Sequence, residues 1–417
     1  MTAGAATRET IACEAERRLR ADVFEKWFPA AIDPGGGFHQ NFAPDWTRLD
    51  DGPRSVVFQA RMIFTAAAAS AAYPGEALFS DANRHGLAFL ATQLLDAKNG
   101  GFFFEVGRDG APGEGRKHAY GQAFAIFAAA SSAGEDALKL AQEGFRWLDH
   151  HGHDARYGGY FEQFSREGEP ILRRRGRDEI GELFGGKSLN AHLHLLEAFC
   201  ALYRRWPDPL LRARLGELLA LLRASAASGR LASGFGCDFR PRRRPLRALA
   251  KSLAHGEAPS LREKQSYGHN LEAAFLMDEA ARALGEAAGD DGAGRALVDL
   301  VLDEGWDERL GGFRHAGPPG ADARKLCWVQ VEALNALLLM DERHGPKTSR
   351  YWSAFRRAWE FLNGRQRDAR RGGFHPALAP DGRPLDALKG DAWTDPYHQT
   401  RALLNVMARL RPHRFLA

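Results

Sequence analysis

A glycine pair followed by an aromatic residue recurs along this chain: Gly36-Gly37-Phe38, Gly100-Gly101-Phe102, Gly158-Gly159-Tyr160, Gly311-Gly312-Phe313 and Gly372-Gly373-Phe374, with a looser copy at Gly234-Phe235-Gly236. A period of roughly 60 to 80 residues suits a unit of two helices and a loop, not a short solenoid repeat. Several copies follow an Asp-containing turn, as in WDERLGGF and QRDARRGGF. Paired glycines fit a tight turn that needs positive φ, and the aromatic can then enter the core.

The segments around the copies alternate in character. Before a copy lies an amphipathic helical pattern with charge on one side: Ser80 to Leu95, Glu135 to His150, Leu210 to Ala224, Tyr351 to Leu362. After it lies an Ala-rich pattern that is apolar nearly all round: Val56 to Ala72, Tyr120 to Ala130, Leu189 to Tyr203, His269 to Leu284, Trp328 to Met340, Thr394 to Leu410. The first kind reads as solvent-facing and the second as buried. Six such pairs predict an all-α fold, an (α/α)6 barrel or toroid of six helical hairpins with an inner ring covered by an outer one. No Pro/Ser-rich linker or compositional shift divides the chain, so residues 1–417 are expected to form a single catalytic domain. The irregular stretch Arg223 to Lys264, with Pro241, Pro245 and Pro259, reads as a hairpin or long loop over one end of the ring.

Charge excludes some partners. Lys+Arg number 57 against Asp+Glu 53, a formal charge of +4, too balanced for a nucleic-acid or anionic-membrane surface. The local basic run PRRRPLR from Pro241 reads as a solvated loop. Cys13, Cys200, Cys237 and Cys327 form no CxxC pair, which argues against a zinc site or disulfide framework and fits a cytoplasmic protein. No apolar h-region and no run of about 18 apolar residues appears, so neither a signal peptide nor a membrane span is expected.

The inner patterns share polar residues near their starts: Gln59 and Arg61; Lys117, His118, Tyr120 and Gln122; Asn190, His192 and His194; His269 and Glu272; Trp328, Gln330 and Glu332; Trp393, Tyr397, His398 and Arg401. In SYGHNLEAAFLM, His269 and Glu272 stand three apart, on one helical face. A buried histidine held by its acceptor is the simplest account of any of these alone. Parallel inner helices would bring all six sets to one end of the ring, which argues for a pocket. Histidines, glutamates, arginines and aromatics suit a neutral polyhydroxylated ligand, and histidine is suited to proton transfer near neutral pH. No phosphate loop, dinucleotide fingerprint or HExxH motif occurs, and His192 and His194 fall on opposite sides of a helix, so no metal or cofactor is expected.

The stretches KHAYGQAFAIFA, KSLNAHLHLLEAFCALYRRWPD, SYGHNLEAAFL, CWVQVEAL and WTDPYHQTRA, and more weakly FQARMIF, resemble the N-acylglucosamine 2-epimerase superfamily, most of all its cellobiose 2-epimerases. The resemblance implies an (α/α)6 barrel that epimerises or isomerises unmodified sugars. It implies His269 and His398 as the acid/base pair, and His194 and Arg61 as holders of the oxygens on carbons 1 and 2. Glu272 and Glu332 would support the histidines or bind hydroxyls, Trp328 and Trp393 would stack on sugar rings, and Tyr120 and Asn190 would complete the sugar site. His192 falls on a packing position. The chain departs from the family pattern at Cys327, where a second tryptophan is usual, at Phe275, where a tryptophan is usual, and at Asn270, commonly aspartate.

These residues suggest C2 epimerisation of a reducing-end aldose, such as cellobiose or glucose, by ring opening and proton transfer through an enediolate. The reduced aromatic set leaves a mannose-type aldose–ketose isomerase beside it, and an N-acylglucosamine 2-epimerase after that. A glycoside hydrolase would have to recruit Glu272 and Glu332 as its two carboxylates. The expected partner is a mono- or disaccharide, and the expected assembly a monomer or homodimer.

Overall fold

The computed structural model describes residues 7–49, 52–172, 175–242, 265–286, 292–317, 322–345 and 347–411. Helix α1 (Arg8–Arg18) runs through a π-helical turn into α2 (Glu25–Ala31). Five inner–outer pairs follow: α3 (Val56–Ala72) with α4 (Ala77–Phe89), α5 (Ala119–Ser131) with α6 (Glu135–Gly152), α7 (Leu189–Arg205) with α8 (Pro209–Ala226), α9 (Tyr267–Ala283) with α10 (Ala293–Glu304), and α11 (Cys327–His344) with α12 (Arg350–Phe361). The last inner helix, α13 (Tyr397–Leu410), packs against both α11 and α3, so the six inner helices close into a ring, and α1 covers α13. This is the expected (α/α)6 barrel, with the sixth pair assembled from the two ends of the chain. Among the described residues, no helix is long and apolar enough to cross a membrane. Most of the stretch 223–264 lies outside the described residues; its described part extends α8 and forms one short strand.

The short strands were not foreseen. Each of five inner helices is preceded by a two-residue strand that pairs antiparallel with a strand of the next unit, as in Lys117–His118 with Gln163–Phe164 and Lys187–Ser188 with Gly234–Phe235. An isolated bridge between Phe42 and Gly390 completes this rim where the ring closes. The strands leave the inner helices starting from one end. Ser55, Ser188 and Ser266 cap three of those starts by accepting a backbone N–H, and His118 Nδ1 does so for α5.

Four of the five glycine turns are held by a side chain from an inner helix. The Gln59 side chain accepts from Phe38 N–H at 2.8 Å and donates to Phe38 O at 2.7 Å; Gln122 holds Phe102 and Gln330 holds Phe313 in the same way. His192 takes this role for the third turn, accepting from Tyr160 N–H at 3.0 Å. Buried ion pairs tie the turn to the segment before the inner helix: Lys117 to Asp96, Lys187 to Asp154 and Lys325 to Asp307 from strands, and Lys389 to Asp368 from a loop. Gln59, Lys117, His118, Gln122 and Gln330 therefore belong to the scaffold and not to the pocket that their position suggested, and His192 holds the packing position expected of it. His118 uses both ring nitrogens, one on Tyr120 N–H and one on Asp178.

An aromatic ring covers each glycine pair. Phe89, Trp147 and Phe361 from outer helices cover Gly37, Gly101 and Gly312. At Gly159 and Gly373 the cover comes from loop residues, Phe239 (φ 59°) and Trp46 (φ 72°), held in the left-handed region. Non-glycine residues there cost on the order of 1 kcal/mol or more, offset here by the ring contact. Gly101→Ala would combine a φ of +67° with a Cβ 2.6 Å from Trp147 Cδ2. The expected result in urea unfolding is a loss of about 2 to 4 kcal/mol. Gly216→Ala, in α8 with open space around the new Cβ, should instead be neutral or stabilising by up to about 1 kcal/mol.

Candidate active site

Aligning the inner helices by their first residues separates the side chains into layers. The second position gives Tyr120, Asn190, Trp328 and His398 at the rim end. The sixth gives Arg61, Phe124, His194, Glu272 and Glu332. The ninth gives Phe64, Phe127, Glu197 and Phe275, deeper in the ring. Every sequence-predicted site residue falls in the upper two layers except His269, at the third position of α9, and Trp393, on the loop before α13, where it is 48% exposed.

The contacts bring these residues together. Trp328 stands between the two histidines, with its ring centroid 5.1 Å from His269 and 5.4 Å from His398. His398 Nδ1 lies 2.7 Å from Glu332 Oε1, so the carboxylate accepts a hydrogen bond from Nδ1–H and leaves the Nε2 lone pair free. Across the lumen, Arg61 donates to Asp395 at 2.8 Å and to the Tyr120 hydroxyl at 3.1 Å, with Asn190 hydrogen-bonded to the same hydroxyl. Tyr120 packs edge-on to His194 at 5.3 Å and meets Trp393 at 6.1 Å.

Of four further participants, Glu197 and Asp395 were not among the sequence candidates, and Tyr397 and Arg401 stood there without an assigned role. Glu197 accepts from His194 Nδ1–H at 3.0 Å and from the Tyr397 hydroxyl at 2.6 Å. Arg401 donates to Glu272 at 2.7 Å and to Glu332 at 2.8 Å, and also binds Glu197 and Tyr397. Asp395 anchors Arg61. The spacing that pointed to His269 and Glu272 also joins His194 to Glu197, three residues on, so Glu197 was legible. Tyr397 and Arg401 were noticed only as polar residues of the sixth set. The expected alliance of His269 with Glu272 takes a different form: Glu272 hydrogen-bonds to Arg401, and the second oxygen, Oε2, is a buried acceptor with no hydrogen-bond partner. Phe275 stands below this layer, away from the rim, so its size does not set the stacking surface at the mouth.

Burial controls the titration of this centre. It pushes the His269 pKa down to about 4 and the His398 pKa well below the usual imidazole value, against the pull of Glu272 in both cases. Both rings are neutral at pH 7. Burial alone would raise Glu197, but Arg401 and His194 outweigh it and hold it at about 2. Burial also opposes the Arg61 charge, but Asp395 overcomes it and the guanidinium stays protonated. Because the unfolded chain protonates His269 near 6.5 and the folded chain only near 4, the stability that goes with a neutral ring is fully present above pH 6.5 and is lost as pH falls towards 4. NMR titration of the folded protein should place the His269 midpoint near 4, and the unfolding free energy of His269→Asn should fall less steeply than wild type over pH 6.5 to 4.

Three helices also bring Glu272, Glu332 and His398 within 4.8 Å of one another, a spacing that could hold a cation and that the sequence does not show. The Arg401 guanidinium already meets one oxygen of each glutamate there, and the His398 proton meets Glu332. A metal would have to displace those donors. Chelation with EDTA should therefore leave turnover unchanged; loss of activity restored by a divalent ion would show that a metal displaces Arg401.

The family model described as N-acylglucosamine 2-epimerase (GlcNAc 2-epimerase) matches residues 36–402. A cellobiose 2-epimerase of Eubacterium cellulosolvens is 24% identical over 401 residues, spanning 94% of this chain and 96% of that one. A D-mannose isomerase of Marinomonas mediterranea is 25% identical, spanning 92% and 94%. The solved cellobiose 2-epimerase of Spirochaeta thermophila superposes with a TM-score of 0.84 at 28% identity, with 99% of each chain covered.

Proposed function

We propose that this chain, which belongs to the N-acylglucosamine 2-epimerase family, inverts C2 of a reducing-end aldose by proton transfer between His269 and His398. The observation that carries the reading is the pair of neutral imidazoles flanking Trp328, facing Arg61 across the lumen. The similarity to cellobiose 2-epimerases supports a disaccharide such as cellobiose or its monosaccharide glucose as substrate.

The C2 proton is acidic only in the open-chain aldehyde, so the ring must open first. A neutral imidazole takes the anomeric O1 proton and returns it to the ring oxygen, leaving the sugar's proton count unchanged. His194, whose Nδ1–H is held by Glu197, presents Nε2 as such an acceptor. One of the pair, His269 or His398, then removes the C2 proton and becomes imidazolium. The electron pair of the C2–H bond moves onto O1, and the enediolate is met by Arg61, a preorganised donor of a kind worth about 3 to 4 kcal/mol. Glu332, 2.7 Å from His398, stabilises the charge when that ring carries the proton. The other imidazole takes a proton from solvent and delivers it to the opposite face of C2, which gives the epimer, while the first imidazolium returns its proton to solvent and both rings are neutral again. Glu272 Oε2 supplies an acceptor for a sugar hydroxyl, and Trp328 and Trp393 supply stacking faces. Return of the proton to C1 gives the ketose instead, the outcome that the similarity to a D-mannose isomerase favours as the second reading.

Incubation with cellobiose, glucose, mannose and N-acetylmannosamine, followed by chromatography, separates these activities. In heavy water, solvent deuterium should appear at C2 of the product. His269→Asn and His398→Asn should each lower turnover by about 100- to 10,000-fold, and the double variant should be little worse than either. A near-normal rate for His398→Asn, or product without deuterium at C2, would sink the mechanism.

A further inference from the structure

His194 is buried in the polar lattice, and its Nδ1 lies 3.0 Å from Glu197 Oε2, one turn on in α7. The ring stands within electrostatic reach of His269 and Glu272 on α9 and His398 on α13, and 5.3 Å from Tyr120 on α5. It therefore belongs to the sugar site. A neutral imidazole has one N–H and one lone pair, and the hydrogen bond at one nitrogen fixes the role of the other. Two groups from α13 decide which way that bond runs. Arg401 donates to Glu197 Oε1, and a guanidinium cannot accept. The Tyr397 hydroxyl lies 2.6 Å from both carboxylate oxygens and itself accepts from Arg401, so its own proton points to Glu197. Burial favours a protonated Glu197, but Arg401 and His194 keep it ionised above about 2. A carboxylate held in this way can only accept, so Nδ1 of His194 must donate.

We propose that Glu197 is a positioning residue of the sugar reaction. Held as a pure acceptor by Arg401 and Tyr397, it locks His194 in the Nδ1–H tautomer and leaves the Nε2 lone pair for a hydroxyl proton of the sugar. When Nε2 takes that proton the ring becomes imidazolium, and Glu197 balances the charge. Passing the proton on to the ring oxygen of the sugar restores the neutral imidazole. Arg401 treats Glu332 alike, donating to it at 2.8 Å while His398 Nδ1 stands 2.7 Å from the same oxygen. One guanidinium thus sets the tautomers of two histidines on different helices. The use of Nε2 rests on the epimerase reading, and the tautomer does not.

Glu197→Gln tests the assignment because the amide reverses it. The Gln oxygen has to face Arg401, which cannot accept, so the amide NH2 faces His194 and the imidazole proton moves to Nε2. Nitrogen NMR of the full chain with isotope-labelled histidine reads the tautomer without substrate, and the signals lost in His194→Asn identify the ring. The neutral His194 should carry its proton on Nδ1 in wild type and on Nε2 in Glu197→Gln. Cellobiose turnover by Glu197→Gln should fall by about 100- to 10,000-fold, as expected of a base in the wrong tautomer. Tyr397→Phe removes a hydrogen bond from the same network but leaves the carboxylate. It should keep the Nδ1–H tautomer and lose at most about tenfold. If Glu197→Gln does not fold, the wild-type tautomer and Tyr397→Phe carry the test. An Nε2–H tautomer in wild type, an unchanged tautomer or near-normal turnover in Glu197→Gln, a reversed tautomer in Tyr397→Phe, or equal losses in the two variants would each overturn the proposal. The tautomer needs no turnover to be read, so its failure is separate from failure of the epimerase reading.

Discussion

Two buried guanidinium groups hold the inner ring together. Arg401 on α13 reaches Glu197 on α7, Glu272 on α9 and Glu332 on α11. Arg61 on α3 reaches Asp395 at the start of α13 and Tyr120 on α5. Between them they join all six inner helices through charge-assisted hydrogen bonds in a region shielded from water. A buried charge is tolerable only when paired and hydrogen-bonded, and losing one partner costs several kcal/mol. The lumen of a closed helical ring is too wide for aliphatic side chains to fill at its mouth, and this polar lattice is what occupies it. The groups proposed to act on the sugar sit on that lattice, so their positions are set by the same contacts that close the ring.

The lattice explains how the proposed histidine pair would move protons near neutral pH. Desolvation keeps His269 and His398 uncharged, while the carboxylates outnumber Arg401 and wait beside them. A ring that takes a proton in the reaction therefore meets compensating charge already in place. The substrate is asked to reorganise, and the protein is not, which is the condition under which fixed dipoles and charges contribute most.

Scaffold and site are separated by register along the inner helices. At the fourth position Gln59, Gln122, His192 and Gln330 face outward and hold the glycine turns; at the sixth, Arg61, His194, Glu272 and Glu332 face the lumen. Two residues apart on a helix is about 200°, enough to send one side chain to the rim and the next into the pocket. Strain is placed on the scaffold side: Trp46 and Phe239 take left-handed backbone only where no outer-helix aromatic covers the glycines.

The glycine–aromatic repeat, the apolar inner helices and the polar clusters at their starts determined the toroid and the end at which its pocket lies, because helical periodicity and positive-φ turns are local properties. The same local pattern marked His269, His398, His194, Arg61, Glu272 and Glu332 as polar residues near helix starts, and the family resemblance singled them out from the rest. The sequence could not sort Gln59, Gln122 and Lys117 from the pocket residues, since that depends on which way a helix is rotated in the ring. Nor could it show that Arg401 gathers three glutamates from three helices, that Glu272, Glu332 and His398 approach to within 4.8 Å, or that Phe275 stands below their layer. Those facts arise only when segments far apart in the chain, 66 residues for Glu332 and His398 and 204 for Glu197 and Arg401, are packed together, and tertiary structure alone decided them.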